Sequence, residues 1–311
     1  MKKIFTGIEK LSEDDMPALV ELDSKGVILA PGETIDQFKE RLLILREHLN
    51  DIQSELDKNG SLQLLASITL EKKRRIPNAI LAEAADIDKK HYAFSIDWVP
   101  GFFLSKNLGF LWGGCAISFP EDHLSIFLIR AIFANQRRWL IYRRDELLSH
   151  ELCHVARMPI GDRSFEELFA YRLSPSWFRR QFGNCFQYTW DAIFFIVPFF
   201  LLVAAQGLRY LLDAPSWLPI APFWLLVPIY PLFLIIRNQW LRNKFFKAKM
   251  NLEVVGIENP LPAMFRMNKS EIFEFASFAG VRDKPAIQTH LNEKMNEDLR
   301  WKVITERFMR Q

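Results

Sequence analysis

The stretch DELLSHELCHVARMPIGDRSFEELFAY, residues 145–171, holds His150, Glu151 and His154 in the pattern H-E-x-x-H, with a second acidic pair, Glu166 and Glu167, shortly beyond. Leu147, Leu148, Leu152 and Val155 recur at helical spacing, so the two histidines share one face, one turn above each other. Both imidazoles can then reach one ion. Zinc suits such donors: it takes neutral imidazole and carboxylate, has no redox chemistry, and in catalytic sites keeps one position for water. Glu151 follows the first histidine directly, which sets its carboxylate beside that open position rather than on the ion. A base there takes the proton of a water whose pKa the ion has lowered.

Two histidines do not complete a catalytic zinc site, and Glu166 and Glu167 are the candidates for the third ligand. Met158-Pro159-Ile160-Gly161-Asp162 reads as a stop and turn, and a restarted helix over 164–180 brings its opening turn close to His154. Glu167 is preferred, because Ala170 three residues on lets the two helices approach closely. The competing reading of Ser164-Phe165-Glu166-Glu167 is a capping box, with Ser164 and Glu167 satisfying backbone N–H groups at the helix start. Glu146, one turn before His150, is expected to face solvent, and Cys153 to be a small core residue.

On these residues the chain resembles the gluzincin group of zinc metallopeptidases, which join H-E-x-x-H to a downstream glutamate followed by alanine three residues later. The resemblance covers 145–171 and its flanks. It implies a zincin-like α+β domain with Zn2+ as cofactor, His150, His154 and Glu167 as metal ligands, and Glu151 as general base. The interval from His154 to Glu167 is shorter than in most such enzymes, which keeps Glu166 or a more distant acid open as the ligand. Tyr171 stands where several of these families have an aspartate four residues after the ligand glutamate. No motif assigns a transition-state-stabilising residue, although Tyr142 and Tyr171 are available. The H-x-x-G-x-x-H extension of the metzincins is absent.

Upstream of this stretch, short apolar segments at 93–99, 115–119, 124–133 and 139–143 are separated by Pro100-Gly101, Gly113-Gly114, Pro120-Glu121-Asp122 and Asn135-Gln136. They read as strands of a small, mostly antiparallel sheet; 124–133 reads as an ordinary core strand, with an edge that holds an extended peptide as the alternative. Farther upstream, Ile35, Phe38, Leu42, Leu45, Leu49, Ile52 and Leu56 alternate by threes and fours, with Thr34 as N-cap and Gly60 as stop. That helix packs inside the chain, or forms a homo-oligomer seam. Glu71 to Arg75 reads as a solvated charge run, and a helix over 78–89 takes Pro77 into its first turn. The N-terminus lacks the apolar core of a secretory signal.

Downstream, 192–208 and 217–236 carry no charge, with Arg209, Asp213, Pro215 and Ser216 between them; the second is long enough to cross a bilayer and the first just long enough if Arg209 snorkels. Trp190, Tyr210, Trp217 and Tyr230 partly fit an interfacial belt. They read as a transmembrane hairpin, or, given Pro198, Pro219, Pro222, Pro228 and Pro231, as a re-entrant or buried pair. Arg179 and Arg180 precede it, and Arg237, Arg242, Lys244, Lys247 and Lys249 follow it, so both flanks, and the H-E-x-x-H stretch with them, face the cytoplasm. The remainder, 251–311, reads as helices over 270–279 and 286–309, with His290 a surface residue.

Composition agrees with this partition. Half of the 311 residues are hydrophobic and 27 are Phe, an excess gathered in the uncharged runs. A net charge of +3 without a basic, aromatic-laced stripe argues against a nucleic-acid partner. Cys115, Cys153 and Cys185 are odd in number and lack metal-type spacing, which fits free thiols in a reducing compartment. Four regions are expected: a helical N-terminal part (1–90), the metallopeptidase core (91–189), the transmembrane hairpin (190–237) and a helical cytoplasmic C-terminal part (238–311). The function they imply is a membrane-anchored zinc endopeptidase acting on peptide or protein substrates beside the lipid bilayer. The rivals are a non-catalytic scaffold or pseudo-peptidase on the same fold, and a helical membrane protein in which the motif is accidental.

Overall fold

Thr34 accepts the N–H of Gln37 while the Gln37 side chain accepts the N–H of Thr34, a reciprocal cap that starts a long helix, and Gly60 ends it at φ 71°. In the computed structural model, which describes residues 3–65, 68–104, 112–119, 124–211 and 220–309, this is the second of twelve described α-helices. In chain order the elements are α1 (Met16–Ser24), α2 (Ile35–Asn59), β1 (Ser61–Leu65), β2 (Ile68–Glu71), α3 (Asn78–Tyr92), β3 (Gly101–Leu104), β4 (Gly114–Phe119), β5 (Leu124–Arg130), β6 (Arg138–Trp139) and β7 (Tyr142–Arg143). Then follow α4 (Arg144–Arg157), α5 (Arg163–Arg172), α6 (Trp177–Phe182), α7 (Thr189–Leu211), α8 (Ala221–Val254), α9 (Leu261–Phe265), α10 (Lys269–Ser277), α11 (Lys284–Glu297) and α12 (Leu299–Phe308). The chain is α+β, with small sheets and two helices long and apolar enough to cross a membrane.

The predicted α2 seam packs inside the chain: Phe38, Leu42, Leu45 and Leu56 are buried in one core with β5 and α4 residues. The sheet keeps the expected core strand at 124–130 but differs in its membership. Its order is β3-β5-β4, with β3 parallel and β4 antiparallel to β5, so 124–130 is the central strand and β4 is an edge. The segment 93–99 is not a strand. Ala93 closes α3 in the left-handed region, the Ser95 N–H bonds the Ser24 carbonyl at 2.9 Å, and Trp98 Nε1 bonds the Lys25 carbonyl at 2.9 Å. Its apolar residues are therefore spent on the end of α1 rather than on a sheet. The β1–β2 hairpin was not expected, and β6–β7 is a two-residue-per-strand ribbon leading directly into α4.

At the C-terminal end, the helix expected over 286–309 splits at Asp298, whose extended backbone ends α11 and whose side chain accepts the Arg300 N–H to start α12. Two arginines tie this part to the rest: buried Arg266 pairs with Asp23 of α1 at 2.8 Å and donates to the carbonyl of Tyr92, and half-buried Arg307 also bonds Asp23, while buried Arg300 pairs with Glu271 at 2.6 Å within the C-terminal part.

Within α7, Ile193, Phe194, Phe199 and Phe200 are exposed, and so are Trp224, Leu225, Leu232 and Ile236 in the first half of α8. An exposed apolar belt of this kind marks a surface that a membrane or another protein covers. Pro198, Pro228 and Pro231 lie inside the helices, and Pro222 occupies the first turn of α8. The hairpin residues 212–219, including Asp213, Pro215, Ser216, Trp217 and Pro219, fall outside the described residues, as do the turn residues Pro120, Glu121 and Asp122. The second half of α8 reverses character: Leu241, Phe245, Ala248 and Leu252 are buried against the soluble core. The border at Arg237 therefore lies inside one continuous helix. There, Asp191 accepts from Tyr230 Oη at 2.7 Å and from the Arg237 guanidinium at 2.6 Å, locking the start of α7 to α8.

Candidate metal centre

The centre is built on α4. Asp145 and Glu146 in its first turn favour the positive end of the helix dipole. Its body presses onto β4 because Gly114 has no side chain: a Cβ there would lie 2.9 Å from the Leu128 carbonyl oxygen and 3.1 Å from Leu147. Met158-Pro159-Ile160 ends the helix as a single tight turn, with Gly161 at φ 67°. Asp162, not Ser164, then caps α5 by accepting the Ser164 N–H at 2.8 Å, and it also pairs with buried Arg157. The competing capping box of Ser164 and Glu167 is thus not formed. Glu167 has no part in the cap and is free to turn toward α4. The expected helix over 164–180 breaks in two, since Pro175 has no N–H and disfavours helix in the residue before it; Ser176 caps the new helix, α6.

On the half-buried face of α4, His150 Nε2 and His154 Nε2 lie 3.1 Å apart. Glu167 straddles them, one oxygen 3.5 Å from His150 Nε2 and the other 3.5 Å from His154 Nε2. The three side chains offer donor atoms that all fall within 4.8 Å of one another. Ligands about 2.0–2.1 Å from a tetrahedral zinc stand about 3.3 Å from each other. The observed triangle has that size, so these donors fit the ion that the motif implies. Glu166 takes a different place, holding His154 Nδ1 at 2.9 Å. That contact puts the proton on Nδ1 and turns the Nε2 lone pair toward the cluster, the usual outer partner of a metal-binding histidine.

Charge explains the rest of the donor set. Burial, with His154 and Arg179 nearby, holds His150 well below the usual imidazole range, leaving it neutral. Burial also pulls His154 down, but Glu166, Glu167 and Glu151 outweigh it and raise it to about 9. Burial lifts the Glu167 carboxyl to about 7 and raises that of Glu151. Three acidic side chains and two imidazoles thus crowd one another, a conflict that a cation would relieve.

Glu151 points the other way along the same face, to the sheet edge: Oε2 accepts the N–H of Ala116 at 2.9 Å. Gly113 bonds Arg130 of the neighbouring strand, so in the alternating ladder the main-chain groups of Ala116 belong to the free edge of β4. Tyr171 packs edge-on against His150, ring centroids 4.6 Å apart, and fits only because residue 183 is glycine: a Cβ there would come 2.2 Å from its ring. Arg179 lies 5.6 Å from the rings of both Tyr142 and Tyr171 and pairs with Glu146 at 2.7 Å. Glu146, expected in solvent, is therefore buried and ion-paired.

Behind α4 lies α3, whose Asp88 is fully buried and accepts Ser149 Oγ at 2.7 Å and Cys153 Sγ at 3.7 Å. Cys153 is the core residue it was expected to be, and all three cysteines are free thiols. His290 sits beside Glu274 on the C-terminal helices and is not in the cluster. Sequence reading missed Ala116, Asp88, Arg179 and Gly183. None belongs to a motif, and only the packing of β4, α3 and α6 around α4 brings them in. A comparison with protein-family models, with curated proteins and with solved structures finds no match for this chain.

Proposed function

We propose that this chain is a membrane-anchored zinc endopeptidase of gluzincin type, hydrolysing a peptide bond of a peptide or protein substrate at the cytoplasmic surface of the bilayer. The observation that carries the reading is the triangle of His150 Nε2, His154 Nε2 and the Glu167 carboxylate, sized for one zinc ion. When bound, the ion supplies Lewis acidity there, making water acidic near neutral pH and polarising a carbonyl. Glu151 is the general base. Burial, which raises its carboxyl, suits it to take a proton from the attacking water and deliver it to the leaving amine. Glu166 fixes the ring of His154, and Tyr171 that of His150. The substrate lies as an added strand along β4, whose free edge meets Glu151 at Ala116.

The membrane half of the reading rests on α7 and α8, and sidedness on the flanking arginines and lysines. The test is metal analysis of the purified full-length chain with peptidase assays of the native protein and Glu151→Gln. Stoichiometric zinc, with activity that Glu151→Gln removes while zinc stays, is the expected result. Bound zinc with no activity on any peptide would favour the non-catalytic scaffold, and metal content unchanged in His150→Ala/His154→Ala would sink the centre altogether.

A further inference from the structure

A second site lies where α6 rests on α8. Asn238 Nδ2 donates to the carbonyl of Gln181 at 2.7 Å, and Arg242 Nη1 donates to the carbonyl of Arg180 at 2.8 Å, so α6 is held just past the uncharged part of α8. Arg242 is six residues beyond Ile236, the last residue of that uncharged part. At 1.5 Å per residue this places it about 9 Å outside the hydrocarbon, at the outer edge of a headgroup layer about 5–8 Å thick. Trp177 and Phe178 of α6 are 65% and 64% exposed at the same level, as aromatic side chains are at a bilayer interface.

Between α5, α6 and α8 opens a cavity of ≈ 520 Å³ whose lining includes Arg172, Arg180 and Arg242, with His91 and Trp177 at its wall. No aspartate or glutamate is among its lining residues. Arg172 and Arg242 both lie over the ring of Phe246, at 5.9 and 5.7 Å, so two guanidinium groups are held close together. Arg180 donates to the Ser174 carbonyl. Elsewhere this fold pairs its buried arginines with carboxylates, as Arg266 with Asp23 and Arg300 with Glu271. Here like charges converge on open space, an arrangement that an anion stabilises.

We infer that this cavity binds the headgroup of an anionic phospholipid, its phosphate held by Arg172, Arg180 and Arg242 and its acyl chains running along the exposed apolar face of α7 and α8. The inference rests on the membrane-crossing part of the reading above and not on the hydrolytic part. Basic pockets beside membrane helices at the cytoplasmic surface recognise lipid in this way. Because Arg172 belongs to the helix that carries Glu166 and Glu167, the bound lipid also ties the metal centre to the bilayer.

The test uses the full-length chain in neutral detergent, followed by thermal unfolding while short-chain phosphatidylglycerol, phosphatidylcholine or inorganic phosphate is titrated in. Recovery of each protein in reconstituted vesicles is measured alongside, so that failure to insert is read separately from failure to bind. The expected result is a saturable stabilisation by phosphatidylglycerol alone. The half-saturating concentration should rise about fivefold for R180Q and on the order of a hundredfold for R172Q/R180Q/R242Q, with R282Q, an exposed arginine of the C-terminal part, unchanged. R180Q alters an exposed side chain and serves if the triple variant does not fold. Equal stabilisation by phosphatidylcholine, equal stabilisation by phosphate, or an R180Q titration that matches the native one would overturn the inference.

Discussion

The two faces of α4 bury acidic groups to opposite ends. On the front, Glu151, Glu166 and Glu167 crowd two imidazoles whose Nε2 atoms stand 3.1 Å apart, and the cluster opens toward the edge of β4. On the back, Asp88 is sealed among α3 and α4 side chains with Ser149 and Cys153 as its partners, and its Oδ2 has none. The front is an arrangement that a cation would complete. The back is a closed polar contact that costs stability and fixes how α3 sits on α4. Burial alone therefore does not mark a functional acid; the convergence of lone pairs does.

The largest expected effect breaks the front face. Replacing His150 or His154 with alanine should abolish both zinc binding and peptidase activity, read by metal analysis and a peptide-cleavage assay, with little change in unfolding temperature of the metal-free protein. Glu151→Gln should lower activity on the order of 10²–10⁴-fold at unchanged zinc content, because a general base is lost and no ligand is. Equal zinc loss in this variant would mean that Glu151 is itself a ligand. The two neighbouring glutamates sharpen the comparison further. Glu166→Gln should weaken zinc binding about 10–100-fold, the usual cost of losing an outer partner of a ligand. Glu167→Gln should cost more, and a reversed ranking in zinc titrations would exchange their roles.

The next effect is on packing. Gly183→Ala drives a methyl group into the Tyr171 ring, and should destabilise the fold by about 1–3 kcal/mol in denaturant unfolding, with disturbance of His150 visible as weaker zinc binding. The smallest effect belongs to the back face. Burial raises the Asp88 carboxyl well above its ordinary value of 3.8. Below that value Asp88 is protonated folded and unfolded alike. Above it the unfolded chain releases a proton that the folded chain must keep or else bury a charge, so stability falls as pH rises. Asp88→Asn should therefore melt higher than the native protein at pH 7, converge with it near pH 4, and leave zinc content unchanged. A loss of zinc in Asp88→Asn would erase the distinction between the two faces.

Local patterning was enough for much of this. The helical period of Leu147, Leu148, Leu152 and Val155 put His150 and His154 on one face, Pro159 and Gly161 marked the turn, and uncharged runs marked α7 and the first half of α8. Thr34 and Gly60 bounded α2 correctly, because caps act through backbone groups within a few residues. Where a choice depended on distant partners, local pattern failed. The apolar segment 93–99 reads as a strand, yet its backbone is claimed by α1; the edge role weighed for 124–133 falls instead to β4, because β3 pairs on the far side of β5.

The amino-acid sequence by itself determined which residue types could meet a metal ion and which stretches prefer lipid, because both depend on spacing along one helix and on side-chain hydrophobicity. Only the tertiary structure separated Glu167, astride the two imidazoles, from Glu166, on the far nitrogen of His154. That difference is set by how α5 packs against α4, with Asp162 rather than Glu167 serving the cap. A helix's rotation about its own axis is a property of its packing, and no local pattern records it.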